Sequence, residues 1–210
     1  MSIGEAPELP LIAMNAVEVA HLEVSQDPTV SDDVMTYVAN IDFSVPALEV
    51  FPAHYHWTVA MANCEEMQQA TLGPLGVVAM LYNRAGEALW QRRTHRIAEQ
   101  GMLWTPAAQG PARPGLAVSK SMVDIIGLEL GLRADEVELC PRGLVIYGGD
   151  RGLRVVYEGI ISNDAILRPD SSLVSDLLWA EQTAPPSQMS HDSDLLVEHL
   201  LDRPHAEPQT

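Results

Sequence analysis

The sequence predicts an α/β fold, in which a sheet packs against helices, and two observations predict it. Apolar segments of strand length occur in pairs, and a polar or glycine-rich turn separates the members of each pair. A longer segment that is apolar over much of its length and ends at Gly131, a helix stop signal, lies between the two pairs. The strands are predicted at 76–83, 87–93, 137–148 and 153–162, and the helix at about 117–131.

Four further elements are expected before this core. The segment Val17–Val24 alternates apolar and polar side chains, which is typical of a half-buried strand. Ser31 and the two aspartates after it resemble a helix start, so a helix is expected from there to about Ile41. A short strand is expected at Val45–Phe51. The segment Trp57–Ala70 contains good helix formers and is predicted to be helical.

Within and after the core, local signals predict a turn, a loop and two more helices. Asn83–Gly86 is a polar turn, and residues 94–115 are expected to form a long loop. Asp170 and the two serines after it resemble a helix cap, which predicts a helix through Trp179 or Ala180. After a polar linker, Asp192–Asp202 is predicted to be a short amphipathic helix that covers the domain or docks on a partner, the first being the more common outcome.

Composition excludes several classes of partner. The chain has 210 residues and a formal net charge of −17, from 29 acidic and 12 basic residues. Such a field repels nucleic acid and anionic membranes, so neither is an expected partner. No apolar run reaches the roughly 18 residues of a membrane span, and no signal peptide is recognisable. A cytoplasmic protein is expected, with Cys64 and Cys140 as free thiols.

The most informative stretch of the chain is Gly110–Leu132, GPARPGLAVSKSMVDIIGLELGL. Its two end glycines and its apolar positions Ile126 and Leu132 have the order and spacing of a Nudix box, which it resembles. Most of the acids of that box are absent, and Glu129 alone is retained. Other side chains stand at the remaining charged positions, namely Leu116, Asp124, Ile125 and Leu128.

The resemblance extends upstream through residues 76–110, which look like a Nudix hairpin followed by a GMLWT loop. It implies a Nudix-type α/β/α sandwich with a mixed sheet at 73–182. An N-terminal extension at 1–72 and a linker with a helical tail at 183–210 complete the expected organisation. The segment 88–105 is also similar to type 1 isopentenyl diphosphate isomerases. Their catalytic cysteine is absent here, so only shared architecture is inferred.

The missing acids change the chemistry that the resemblance implies. In the Nudix family the box glutamates hold magnesium, a hard cation that alkyl groups cannot bind. We therefore predict that standard magnesium-dependent diphosphate hydrolysis is lost or weakened, and that the chain has no metal site and no cofactor. The apolar helix face has three interpretations: a pocket for an apolar ligand, a dimer interface, or a core filled by the chain's own side chains.

Candidate site residues follow from the same alignment. Glu129, a lone carboxylate among alkyl groups, and His95, in the loop after the second core strand, are the catalytic candidates. An ion pair of Glu129 with an arginine is the alternative. His54 and His56 have a spacing that a metal could use, but a polar turn is the favoured interpretation. The candidates for substrate contact are Arg92, Arg93, Trp104, Ile125 and Leu128.

Three functions remain open at this stage. The first is a divergent Nudix enzyme that acts on a small metabolite, with Glu129 transferring protons. The second is a catalytically inactive Nudix-like domain that binds a ligand or a protein, for which a homodimer is one option. The third is a conventional hydrolase of nucleoside diphosphate derivatives whose metal is held by other acids, such as Glu99, Glu136 or Glu158.

Overall fold

The computed structural model describes residues 34–42, 47–54, 73–96, 101–146, 153–181, 184–190, 193, 196 and 197. Nine strands and one α-helix have described bounds, and a short 3-10 helix covers Ala134–Glu136. The strands are β1 Val34–Asp42, β2 Ala47–His54, β3 Gly73–Tyr82, β4 Ala88–Arg93, β5 Trp104–Pro106, β6 Ala108–Pro111, β7 Val137–Ile146, β8 Leu153–Ile161 and β9 Val174–Ala180. The helix is α1, Val118–Leu130.

Strand β3 is the centre of a mixed sheet. It pairs in parallel with β8, from Leu75 with Leu153 to Tyr82 with Ile160. It also pairs antiparallel with β6, β4 and β1. Strand β7 adds to β8, β9 adds to β4 and β2 adds to β1, all antiparallel. All ten residues of β3 are buried, as expected for a strand that is covered on both faces.

The two faces of the sheet have separate cores, because successive side chains of a strand point to opposite faces. Val77, Ala79 and Leu81 face α1, whose apolar side chains complete the larger core. The helix contributes Val118, Met122, Ile125, Ile126 and Leu130. The next residues along β3 face the other way and pack in two smaller clusters. The first cluster contains Val78, Val145, Val156 and Leu196. The second contains Met80, Tyr82, Ala88 and Trp90.

The C-terminal segment covers this second face. Ser193, Leu196 and Val197 are helical, and Leu196 is buried against Val78 and Val156. Ser190 N donates to Trp104 O at 3.0 Å, which ties the segment to β5. The prediction that the tail covers the domain is confirmed at these residues. With α1 on the first face, the tail gives the α/β/α layering expected from the sequence.

Removal of the Leu196 side chain is expected to release the tail. Leu196→Ala deletes a fully buried side chain and should lower the stability of the docked segment by about 2 kcal/mol. Limited proteolysis should then cleave the chain near residues 184–197 faster than in the wild type. An unchanged cleavage rate would contradict this packing. Leu178→Ala, at an exposed apolar position, is the matched control and should leave the rate unchanged.

Helix α1 begins and ends close to the predicted residues. Gly131 terminates it in the left-handed conformation, with φ of 68° and its N–H bonded to Gly127 O. Glycine adopts this conformation without the steric cost that a side chain adds. The predicted turn at Asn83–Gly86 is also present, and Asn83 Oδ1 accepts hydrogen bonds from the N–H groups of Ala85 and Glu87.

Three predicted elements are wrong. Residues 34–41 form strand β1 and not the end of a helix, because Val34–Asp42 is rich in β-branched residues and pairs with β2. Residues 174–180 form strand β9, which pairs with β4, in place of the predicted helix. The expected loop at 94–115 contains the short strands β5 and β6, which pair with β4 and β3.

Other predictions fall partly or wholly outside the described residues. The strand expected at Val45–Phe51 corresponds to β2. The segments Val17–Val24 and Trp57–Ala70 lie outside the described part of the chain, as do the full bounds of the Asp192–Asp202 helix. The three-part domain division stays a prediction. Among the described residues, no helix has the length and apolar character to cross a bilayer.

Candidate functional site

Glu129 lies in the last turn of α1, where the helix meets the sheet, and it is only 4% exposed. Strand β4 points Gln91 and Arg93 toward it, since both share the helix-facing side with Leu89. Gln91 Nε2 donates to Glu129 Oε2 at 3.0 Å, and the backbone N of Gln109 donates to the same oxygen at 3.2 Å. Arg93 Nη2 lies 3.8 Å from Glu129 Oε1. The carboxyl group is therefore surrounded by N–H groups of the protein.

Burial controls the ionisation of this group. Loss of hydration raises the pKa of Glu129 above its usual value of 4.5, and this is the largest influence. The hydrogen bond from Gln91, the charge of Arg93 and the N–H of Gln109 each oppose that rise in pKa. A carboxyl group with a raised pKa and an ion pair with an arginine were alternative expectations for Glu129, and here burial raises the pKa while the Arg93 guanidinium lies within 3.8 Å of the carboxyl group.

Ile125 lies one turn before Glu129 and fills the space beside it. Ile125 is 6% exposed and belongs to the larger core. It also packs on Gly110, because a Cβ atom built on that glycine would lie 2.8 Å from Ile125 Cδ1. Of the three interpretations of the apolar helix face, a core filled by the chain's own side chains therefore describes the position of Ile125.

Leu128 has a different environment from Ile125. Its side chain is 52% exposed, so it lies on the outer surface of α1. Asp124, which stands where the Nudix pattern has an arginine, also lies away from Glu129. It pairs with Lys120 one turn earlier on the same helix. The candidate positions on α1 are thus divided between the core and the surface.

The donors around Glu129 do not fit a magnesium ion. Magnesium needs several oxygen ligands in octahedral geometry, whereas Glu129 is met by two N–H donors and a guanidinium. In the described part of the chain, no three His, Cys, Asp or Glu side chains are close enough together to hold a metal. Two of the alternative acids are already engaged: Glu136 by Arg133, and Glu158 by Arg142. Glu99 lies outside the described residues.

The two candidate arginines point to opposite faces of the sheet. Arg93 faces Glu129, but Arg92 Nε donates to Met102 O at 2.9 Å. Trp104 pairs with Arg92 and packs on the cluster that contains Trp90, on the face opposite α1. The structure therefore brings Glu129, Ile125 and Arg93 together, and it separates them from Arg92 and Trp104.

Of the histidine candidates, His95 is not among the described groups that influence the pKa of Glu129. His95 is exposed in a turn that directly follows β4. His54 is the last residue of β2, and His56 lies outside the described residues. Arg113 is exposed, and its backbone N–H donates to Ser121 Oγ at the start of α1.

Sequence reasoning missed the two glutamine positions that contact Glu129. Gln91 is 1% exposed and supplies the side-chain bond, while Gln109 supplies a backbone N–H. The alternation along β4 contained a signal for the first, because Gln91 shares a face with the apolar Leu89. No local signal marks Gln109, since any residue at that point of β6 has the same N–H group.

Solved structures provide the comparison that decides the fold. The Nudix hydrolase DR0079 from Deinococcus radiodurans matches with a TM-score of 0.52 and 18% identity, over 60% of this chain and 81% of that one. This chain has a Nudix-like fold. The likeness to DR0079, together with the mixed sheet and α1 described above, supports that statement. At this level of identity the Nudix likeness concerns the fold alone.

Two further Nudix-related structures match at lower TM-scores. A MutT Nudix hydrolase from Burkholderia pseudomallei has a TM-score of 0.47 and 19% identity, over 59% of this chain and 95% of that one. An Ap4A hydrolase from C. elegans has a TM-score of 0.49 and 13% identity, over 60% and 94%. Neither a protein-family model nor a curated protein matches the sequence.

Proposed function

We propose that this chain is a Nudix-like binding domain in which the box helix has become a structural element. The observation that supports this proposal is the set of groups that face the retained carboxyl group. Gln91 and Gln109 donate to Oε2 of Glu129, and the Arg93 guanidinium lies 3.8 Å from Oε1, so N–H groups and a cation stand where a metal would need to be. Ile125, packed on Gly110, closes the adjacent space. A helix face that is sealed in this way holds the fold together and offers no oxygen ligands to a cation.

The proposed ligand is a small molecule or a protein, including a second copy of this chain. The net charge of −17 disfavours nucleic acid and anionic membranes. Cys140 is an exposed free thiol, which supports the reducing cytoplasm as the proposed location.

The test is a metal titration combined with an activity assay. Magnesium or manganese is titrated into the full chain by calorimetry, and phosphate release is measured from a panel of nucleoside diphosphate derivatives. We expect no saturable metal binding and no metal-dependent phosphate release. Saturable binding accompanied by turnover would overturn the proposal and restore the conventional hydrolase.

A second candidate function has one observation in its favour. The pKa of Glu129 is raised by burial, as for carboxyl groups that act as general acids. In this alternative the chain is a metal-independent enzyme for a small metabolite, with Glu129 transferring a proton and Arg93 contacting substrate. Loss of turnover in Glu129→Gln, with ligand binding retained, would support the enzyme. Ligand binding without turnover in the wild type would support the binding domain.

A further inference from the structure

Only one of the two polar atoms of the Gln91 side-chain amide has a hydrogen-bond partner among the described residues. Its Nε2 donates to Glu129 Oε2, whereas its Oε1 is buried and has no hydrogen-bond partner among the described residues. An unpaired buried acceptor is costly, so such groups call for an explanation. Rotation of the amide by 180° would not help, because the amide oxygen would then face a carboxyl oxygen in place of the N–H group.

The two oxygens of the Glu129 carboxyl group have different surroundings, and the difference suggests a hydrogen-bond donor for Gln91 Oε1. Both N–H donors, from Gln91 and Gln109, converge on Oε2, which therefore has the environment of a carbonyl oxygen. Among the described residues, the group that faces Oε1 is the Arg93 guanidinium, at 3.8 Å. A protonated carboxyl group has one O–H donor, and a primary amide can accept it while it donates its own N–H to the other oxygen.

We propose that Glu129 is held as a neutral carboxylic acid whose Oε1–H donates to Gln91 Oε1, closing an acid–amide ring that latches α1 to β4. In this ring, Gln91 Oε1 accepts a hydrogen bond and both oxygens of Glu129 take part in hydrogen bonds with groups of the protein. This inference is independent of the proposed binding function, since it concerns the protonation state of the helix–sheet junction.

The charged groups around the latch give its pH dependence. Arg93 on β4 is the cation that faces Glu129, and β6 contributes the uncharged N–H of Gln109. From the segment after β8, the backbone N of Asp170 donates to Glu129 O, while the Asp170 carboxylate accepts from Ser172. On α1 itself, Asp124 is paired with Lys120. Arg93 is thus the one described cation that faces the carboxyl oxygens, and it favours ionisation together with the N–H donors of Gln91 and Gln109.

The neutral acid makes the stability of the folded protein depend on pH. The pKa of Glu129 is raised in the folded protein, so the folded state binds the proton more tightly than the unfolded state. The stability that the neutral acid contributes is present below the unfolded value of 4.5, and it is lost as pH rises through the folded pKa. Ionisation opens the ring and leaves two acceptor oxygens facing each other.

Glu129→Gln is the variant that tests the latch, because a glutamine there can form the same ring with an N–H in place of the O–H. Thermal unfolding of the full chain is measured from pH 4.5 upward. The Tm of the variant minus that of the wild type is expected to increase by about 3 °C or more as pH rises to about 8. Asp124→Asn, on the exposed side of α1, is the matched control and should follow the wild type.

A direct readout does not depend on the variant. In wild-type protein labelled with ¹³C, the Glu129 carboxyl resonance, assigned through its side-chain carbons, should titrate above pH 4.5. Titration at or below that pH would overturn the proposal. So would a Glu129→Gln variant whose Tm falls further below that of the wild type as pH rises, because that result requires an ionised Glu129 in the folded state.

Discussion

Ile125→Glu is expected to destabilise the folded protein by about 4 kcal/mol, although a glutamate is the residue that the Nudix pattern places there. Ile125 is 6% exposed and packs against Gly110 in the core between α1 and the sheet. A carboxylate at this position loses its hydration, and no described cation other than the Arg93 guanidinium beside Glu129 lies in this part of the core to compensate for that loss. Denaturant unfolding of the variant and the wild type measures the difference.

Leu128→Glu is the matched control for that experiment. It introduces the same side chain three residues further along α1, at a position that is 52% exposed. Its free energy of unfolding should stay within about 0.5 kcal/mol of the wild-type value. Equal stability of the two variants would contradict the burial of position 125 in the core, and a rise in the Tm of Ile125→Glu on addition of magnesium would indicate a metal site there.

Gly131→Ala should lower the free energy of unfolding by about 3 kcal/mol, from left-handed strain and a steric clash together. Gly131 has φ of 68°, a conformation that residues with a Cβ atom rarely adopt. A Cβ atom there would lie 2.6 Å from Arg168 O and 2.7 Å from Arg168 Cβ. Relief of the clash requires movement of the backbone that donates Arg168 N–H to Leu130 O. Thermal or denaturant unfolding of the purified variant measures this loss.

Gly127→Ala provides the comparison for the Gly131 variant. Gly127 is a helical residue of α1, and a Cβ atom there would lie 3.4 Å from Leu132 O, an ordinary contact. Alanine has the higher helix propensity, so this variant should be as stable as the wild type or more stable by up to about 1 kcal/mol. If both glycine variants have the same stability, the close approach of residue 168 to the helix end is wrong.

Under the proposed function, Glu129 keeps its place in the pattern while its role changes. Glu129 stands at a position that carries a magnesium ligand in the family that the sequence resembles. Here Gln91, Gln109 and Arg93 surround it, and Ile125 occupies the neighbouring position. Each of these contacts stabilises the junction of α1 with β4 and β6. The proposed binding function and the proposed latch both rest on the same observation, that groups of the protein surround Glu129 where the family has a metal ion.

The elements with the clearest local signals were predicted well. Strands β3, β4, β7 and β8 lie close to their predicted bounds, because their apolar residues and turn signals are contained within each segment. The end of helix α1 was predicted from the glycine that follows it, and the observed φ of 68° at Gly131 is the reason that a glycine is suited to this position.

Strand β9 shows where local signals fail. Asp170 and Ser172 form hydrogen bonds typical of a cap, with Asp170 Oδ1 accepting from Ser172 N and Oγ, but these bonds close a turn. The segment 174–180 then pairs with β4 along its length. The hydrogen-bond partners of this segment lie on the edge of β4, and the residues 170–180 by themselves do not indicate that this edge is available. The same reason applies to β1, which found its partners in β2 and β3.

The sequence by itself determined that Ile125 and Leu128 stand where the Nudix pattern that it resembles has glutamates, and ligand chemistry depends on which side chains are present. It also determined the glycine that ends this helix and the alternation that gives β3 and β4 two faces. Only the tertiary structure decided what surrounds Glu129, because Gln91 and Gln109 are 38 and 20 residues away along the chain. Burial, hydrogen bonding and pKa depend on such distant neighbours, and folding alone brings them together.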